Sequence, residues 1–457
     1  MSVSLKQRLR GDLALTLART FTARAIAALG ALGLMVVVGR LHGPAGVGVL
    51  ALAQSFLLGA GLLSKSGMDN ALMRYVGQDP DSHEVMRYFA WAVKRAMLSA
   101  FPVAFLLLLL RGYFESLFSS AGLAEMLIGV SLAVPFYVFG YLLSGFFKGV
   151  RKSATACLME NGAIALYAGG ILWVGMQFAP EISESLLMVG YAYLTAAILV
   201  AFQGGLQLWL WCRKQTWYLH NAEGDVVSRS QAVEKKQFFV TSRAFFAATF
   251  AGFMQNVLAV MLAGWLLISA DLGLFKTSQQ IGMLIAFILL VINAIFPPRF
   301  ASLYHNGNMK GLSRLARLGA ALGAVVAMPL VLVCLFFPVW VLGWFGSGFE
   351  GAAPLLRIIA VAQLVNVSTG SVGFLLNMTG HERLMRNIAL TCNALGLGAF
   401  FVLISMLGAV GAAMALAFVL VCQNLVALFF VWRRLGIWTL PGPNVFALLG
   451  IRPAPLS

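Results

Sequence analysis

The sequence predicts an all-α polytopic membrane protein, with twelve transmembrane helices arranged as two six-helix lobes. Three observations predict it. Hydrophobic residues make up 60% of the 457 positions and charged residues only 11%, which leaves too little polar surface for a soluble protein of this size. Apolar stretches recur along the chain, each close to the ~20 residues that cross a bilayer. Threaded alternately through a membrane, they leave 28 of the 32 Lys and Arg residues on one side.

In order, the stretches lie near 18–39, 46–66, 89–110, 125–147, 154–176, 186–211, 239–268, 273–298, 316–340, 354–377, 388–406 and 411–431. The basic start, Lys6 to Arg10, resembles a secretory signal. The first apolar run is too long for one and eleven more follow, so no cleavage is expected. Basic loops stay in the cytoplasm during insertion, which places both termini there. Only Arg40, Arg111, Lys276 and Arg357 fall on the other side or well inside.

The longest polar stretch, Arg213 to Gln237, divides the spans six and six. The expected domains are an N-terminal lobe at 1–212, a cytoplasmic linker at 213–237, a C-terminal lobe at 238–432 and a cytoplasmic tail at 433–457. Internal similarity supports the division. Gly48 to Gln54 can be laid on Gly273 to Gln279 at an offset of 225, and Arg19 and Arg243 open the two halves at an offset of 224. Six helices separate the copies, so the repeats are parallel. The external loops are short and leave little room for a catalytic domain. Pro102, Pro135, Pro297, Pro298, Pro329 and Pro338 fall in the spans, where each removes a backbone donor and bends or breaks a helix.

The net charge of +16 reads as topological signal and affinity for anionic headgroups, not as a nucleic-acid surface. Cys157, Cys212, Cys334, Cys392 and Cys422 lie scattered in hydrophobic stretches, without metal-ligand spacing, and read as packing residues. The five His residues are isolated from one another. No HExxH, GxSxG or GxxxxGK[ST] occurs, so neither metal nor organic cofactor is expected and the chain reads as a transporter, not an enzyme.

Polar groups inside spans are costly and face a bundle interior or wet cavity. The ionisable ones are Arg19, Arg24, Lys65, Asp69, Lys94, Arg95, Glu160, Arg243 and Lys276. Bases dominate, which implies an anionic substrate held by charge-assisted hydrogen bonds. Arg19, Lys94 and Arg95 lie near cytoplasmic ends, where long side chains also reach headgroups. Lys65 and Asp69, four apart, are spaced to pair. Glu160 reads as a proton or cation carrier or as a partner for a nearby base. Lys276 is flanked by Gln279 and Gln280, and Gln54 and other neutral amides suit a sugar or a hydrated cavity.

At Gly39-Arg-Leu-His-Gly-Pro-Ala-Gly-Val-Gly48, followed by Ala51-Leu-Ala-Gln54, the chain resembles the polysaccharide-transporter, O-antigen flippase-like branch of the multidrug/oligosaccharidyl-lipid/polysaccharide exporter superfamily. Ser66 to Val76, Leu272 to Lys276, Phe296-Pro-Pro-Arg-Phe300, Gly348 to Leu356, Leu376 to Arg383 and Leu407 to Ala413 continue the resemblance to the last helix.

The resemblance implies a V-shaped pair of lobes in the bacterial inner membrane, open alternately to each face. It implies transfer of an undecaprenyl-diphosphate type of lipid-linked oligosaccharide, an O-antigen or other surface-polysaccharide repeat unit, to the periplasmic leaflet. Arg19, Arg24, Arg243 and Lys276 match the family's cavity-lining cations and, with Gln279, Gln280 and Gln54, form the expected substrate site. Lys65, Asp69, Arg74 and Glu160 are the gate or ion-coupling candidates; the driving ion is left open, with a proton or sodium gradient as the candidates. A polysaccharide polymerase and glycosyltransferases are the expected protein partners, beside membrane lipids. The rival readings are an ion-coupled drug antiporter, a lipid II flippase and a membrane enzyme acting on lipid-linked glycans. Flippases of lipid II usually have two further helices, and drug exporters favour embedded carboxylates.

Overall fold

A computed structural model describes residues 3–178, 185–215 and 234–440. Most of the expected linker and all of the tail beyond 440 lie outside the described residues. Every regular element among them is helical: α1 (Val3–Lys65), α2 (Met68–Gln78), α3 (Glu84–Leu109), α4 (Arg111–Leu117), α5 (Leu123–Gly149), α6 (Ser153–Cys157), α7 (Asn161–Phe178) and α8 (Leu186–Arg213). There follow α9 (Lys235–Asn256), α10 (Leu258–Leu266), α11 (Ser269–Ile285), α12 (Phe287–His305), α13 (Met309–Phe336), α14 (Pro338–Leu342), α15 (Ala353–Thr369), α16 (Val372–Met378) and α17 (Glu382–Leu435).

Among the described residues, seven helices are long and apolar enough to cross a membrane. Two of them each hold a pair of expected spans joined at a kink. In α1 the break is Gly43 (φ 64°), next to Pro44; in α17 it is Gly408 (φ 58°). A positive φ is open to glycine at little cost, and here it lets the chain reverse where the sequence places an external loop. Other expected spans are broken inside the apolar run. The stretch 154–176 divides between α6 and α7, 239–268 between α9 and α10, 273–298 between α11 and α12, and 354–377 between α15 and α16. Glu160, expected on a spanning helix, sits in the first of these breaks. Pro102, Pro135 and Pro329 lie inside α3, α5 and α13, whereas Pro338 ends a span and starts the short α14.

Contacts group the chain into two compact units, Met1–Trp265 and Leu266–Ser457. In the first, α5 is the most enclosed span, with Phe146, Phe147 and Tyr137 at most 2% exposed. Close approach of α5 and α8 requires small residues, as is usual between helices in lipid. A Cβ on Gly129 would collide with the Gly190 backbone. The seventh expected span packs in this unit through α9, whose Phe238 is fully buried among Tyr75, Tyr88 and Trp91. The second unit has its own apolar core, in which Phe296 and Phe300 of α12, Leu312 of α13, Leu376 of α16 and Leu428 of α17 meet.

Candidate functional site

In the first unit, α3 and α9 present matching faces. Trp91, Lys94, Arg95 and Leu98 follow helical i, i+3, i+4, i+7 spacing on α3, and Lys235, Phe239, Ser242, Arg243 and Phe246 do so on α9. Between these faces lies a cavity of about 550 Å³, floored by Ser66 and Met68. Among the described residues its lining carries four cations and no carboxylate, so its field favours an anion, and Trp91, Phe239 and Phe246 add an apolar wall. The cations are exposed and accessible to a ligand.

Local structure holds the two helices in place. Gly67, between α1 and α2, has φ 76°, and a Cβ there would meet the α9 backbone at Ser242 and Phe246. Ser242 Oγ donates to the Ser66 carbonyl at 2.7 Å, Tyr75 and Thr241 share a hydrogen bond of 2.6 Å, and Asn70 Nδ2 donates to Thr249 Oγ1 at 3.4 Å. On α3 the Arg87 guanidinium lies 5.0 Å from the Trp91 ring and pairs with Glu84.

A second group of charges in this unit is internally paired. Lys65 Nζ donates to Asp69 Oδ2 at 2.7 Å and sits 4.3 Å from the Tyr141 ring centre. Glu160 pairs with Lys148 and accepts a hydrogen bond from Ser144 Oγ at 2.9 Å. Arg24 approaches Cys157, and Glu160 and Lys148 act on the same thiol. Arg24 therefore lies near the Glu160 pair and is not among the cations that line the α3–α9 cavity. Gln54 Nε2 donates to the phenol of Tyr193, a fully buried residue.

In the second unit Lys276 Nζ donates to Gln279 Oε1 at 2.9 Å. The neighbouring Thr277 is buried and its hydroxyl has no hydrogen-bond partner among the described residues. Gln280 is half-buried. The amides that suggested a sugar site bond largely to one another. Asn424 Nδ2 donates to Asn366 Oδ1 at 3.1 Å, Asn366 Nδ2 to Gln363 Oε1 at 2.9 Å, and Ser371 Oγ to Asn293 Oδ1. Mutual satisfaction of this kind lowers the cost of polar groups inside a membrane bundle.

Of the sequence-derived substrate residues, only Arg243 lines the cavity. Arg19 is exposed on α1, and Arg74 is exposed beside the Tyr75 ring at 5.7 Å. Three of the four gate candidates, Lys65, Asp69 and Glu160, are held in ion pairs. Sequence reasoning did not select Lys235, Trp91 or Phe239 and gave Lys94 and Arg95 a headgroup role. The signal for them was present as two helix faces that alternate base and aromatic at i, i+4 spacing.

Solved structures share this fold at low identity. The chain is similar to an inward-facing multidrug resistance MATE family transporter of the MOP superfamily (TM-score 0.61, 14% identity, covering 90% of this chain and 94% of that one). It is also similar to the lipid II flippase MurJ in an inward closed conformation (TM-score 0.63, 11% identity, 90% and 87% covered). A third match is a MOP superfamily transporter from Pyrococcus furiosus described as having a binding pocket of reverse polarity (TM-score 0.54, 13% identity, 92% and 95% covered). No curated protein matches the sequence. The model of the polysaccharide biosynthesis protein family matches residues 17–303. With more than half its length matched, and with the fold of the MOP superfamily transporters, the chain belongs to the polysaccharide biosynthesis protein family.

Proposed function

We propose that this chain is a flippase that moves a polyprenyl-diphosphate-linked oligosaccharide, a surface-polysaccharide repeat unit, from the cytoplasmic to the periplasmic leaflet of a bacterial inner membrane. The observation that carries the reading is the cavity in which Lys94, Arg95, Lys235 and Arg243 stand beside Trp91, Phe239 and Phe246. Diphosphate needs several fixed donors to leave water, and a polyprenyl chain needs an apolar wall next to them. The positive-inside pattern puts Lys94, Arg95 and Lys235 at the cytoplasmic ends of their helices, with both termini on that side. This is the level of the donor headgroup before transfer. Outward movement of an anion follows the membrane potential, by about 2.3 kcal/mol per charge per 100 mV. The Lys148–Glu160 and Lys65–Asp69 pairs are the candidates for gating, and Asp69 is the candidate for a proton or sodium dependence. A polymerase and glycosyltransferases acting on the same lipid-linked glycan are the expected partners.

The superfamily also contains the multidrug transporters named above. An all-cationic lining disfavours cationic drugs, which would meet repulsion there. The test is reconstitution of the purified chain in vesicles with a fluorescent polyprenyl-diphosphate oligosaccharide. The lipid should change leaflet with its covalent structure intact. Export of cationic dyes without movement of the lipid would favour an antiporter, and chemical alteration of the glycan would favour an enzyme. Either result overturns the proposal.

A further inference from the structure

A separate cationic cavity lies in the second unit, and nothing in the transport reading uses it. Helix α13 starts at an Asn308 cap, whose side chain accepts from the Gly311 amide at 2.8 Å. Its next residues place Lys310, Arg314 and Arg317 at i, i+4 and i+7, on one face. The opposing wall is the end of α17, where Gly436 (φ 67°) turns the chain back. Leu435, Gly436 and Ile437 close a space of about 340 Å³ against the three cations.

Among the described residues the lining has three positive charges and no carboxylate, and Arg433 and Arg434 stand exposed immediately before it. Arg317 is not a loose surface side chain, because its Nε donates to the Trp438 carbonyl at 3.1 Å. That bond fixes the guanidinium at the cavity wall and leaves its terminal nitrogens to face a ligand. Trp432 and Trp438 flank the site with rings 6.4 Å apart, and they are 52% and 47% exposed. Paired, half-exposed tryptophans beside arginines mark the headgroup level of a bilayer. The cytoplasmic leaflet, to which the charge pattern assigns this end, is the one rich in anionic lipid.

We infer that this cavity is a binding site for an anionic phospholipid headgroup: Arg314, Arg317 and Lys310 hold the phosphate, and half-buried Leu435, with the exposed Trp438 ring beside it, takes the start of the acyl region. Free phosphate offers the same anionic oxygens but no apolar part, so the apolar wall and the tryptophan pair favour the lipid. The site is distinct from the α3–α9 cavity in residues and in unit, so it stands or falls independently of the flippase reading.

The test is native mass spectrometry of the full-length protein released from zwitterionic nanodiscs and exposed to short-chain phosphatidylglycerol, phosphatidylcholine or inorganic phosphate. The wild type and a Lys94→Gln/Arg95→Gln control should retain one phosphatidylglycerol in preference to phosphatidylcholine, with millimolar phosphate failing to displace it. The Arg314→Gln/Arg317→Gln variant should bind roughly thirtyfold more weakly, from the loss of two basic contacts at a lipid surface. Lys310→Gln alone, at an exposed position that tolerates change, should show a smaller loss at an unchanged melting temperature. Equal retention of phosphatidylglycerol by all variants would overturn the inference. So would equal binding of phosphatidylcholine, or displacement by phosphate alone.

Discussion

Lys65 Nζ stands 2.7 Å from Asp69 Oδ2, and both side chains are nearly buried, at 10% and 13% exposure. The other carboxylate oxygen, Oδ1, is buried without a hydrogen-bond partner among the described residues. An incompletely satisfied buried pair is sensitive to loss of one member, because the survivor is an uncompensated charge. Asp69→Ala should therefore destabilise the protein by about 3–5 kcal/mol. Lys65→Met/Asp69→Leu together should recover most of it. Thermal melting in detergent measures both; additive losses in the double variant would contradict a coupled pair.

Glu160 and Lys148 are expected to act on each other and not as a free ion carrier. Charge exchange, Lys148→Glu/Glu160→Lys, should restore glycan export that either single reversal reduces. If export by Glu160→Gln in vesicles loses its dependence on an imposed pH gradient while the exchanged pair stays inactive, the carboxylate carries the proton instead.

Gly67 links the α1–α2 joint to α9, and its φ of 76° disfavours any side chain. Gly67→Ala adds backbone strain of about 1–3 kcal/mol and a collision with α9. The variant should melt lower than wild type and should expose Ser242→Cys to a water-soluble thiol reagent. Normal melting and unchanged labelling would show that the joint does not position α9.

Lys276 is held by Gln279 at 2.9 Å, and a hydrogen bond to a charged group contributes roughly 1.5–3 kcal/mol. Lys276→Gln should reduce export about tenfold or more at equal membrane expression, with Lys276→Arg retaining more activity. Equal export by all three would remove Lys276 from the substrate path.

Much of the fold is readable in the sequence for identifiable reasons. Gly43 beside Pro44, and Gly408, mark reversals between apolar runs, and the structure bends at those residues. The breaks inside 154–176, 239–268 and 273–298 are not readable, because an apolar run of bilayer length looks the same whether its helix is continuous or interrupted. Glu160 lies in such a break because tertiary contacts, with Lys148 and Ser144, hold it there. The Lys65–Asp69 pair follows from i, i+4 spacing. The α3–α9 cavity does not, since its faces lie far apart in sequence and meet only through α1, α2 and the buried Phe238.

The most direct test of the central claim is photo-crosslinking with a polyprenyl diphosphate that carries a diazirine near the phosphates, followed by peptide mapping. The account predicts labelling of peptides that contain Trp91 to Leu98 and Lys235 to Phe246, suppressed by Arg95→Gln/Arg243→Gln. Labelling confined to other helices, or unchanged by removal of those two charges, would contradict it.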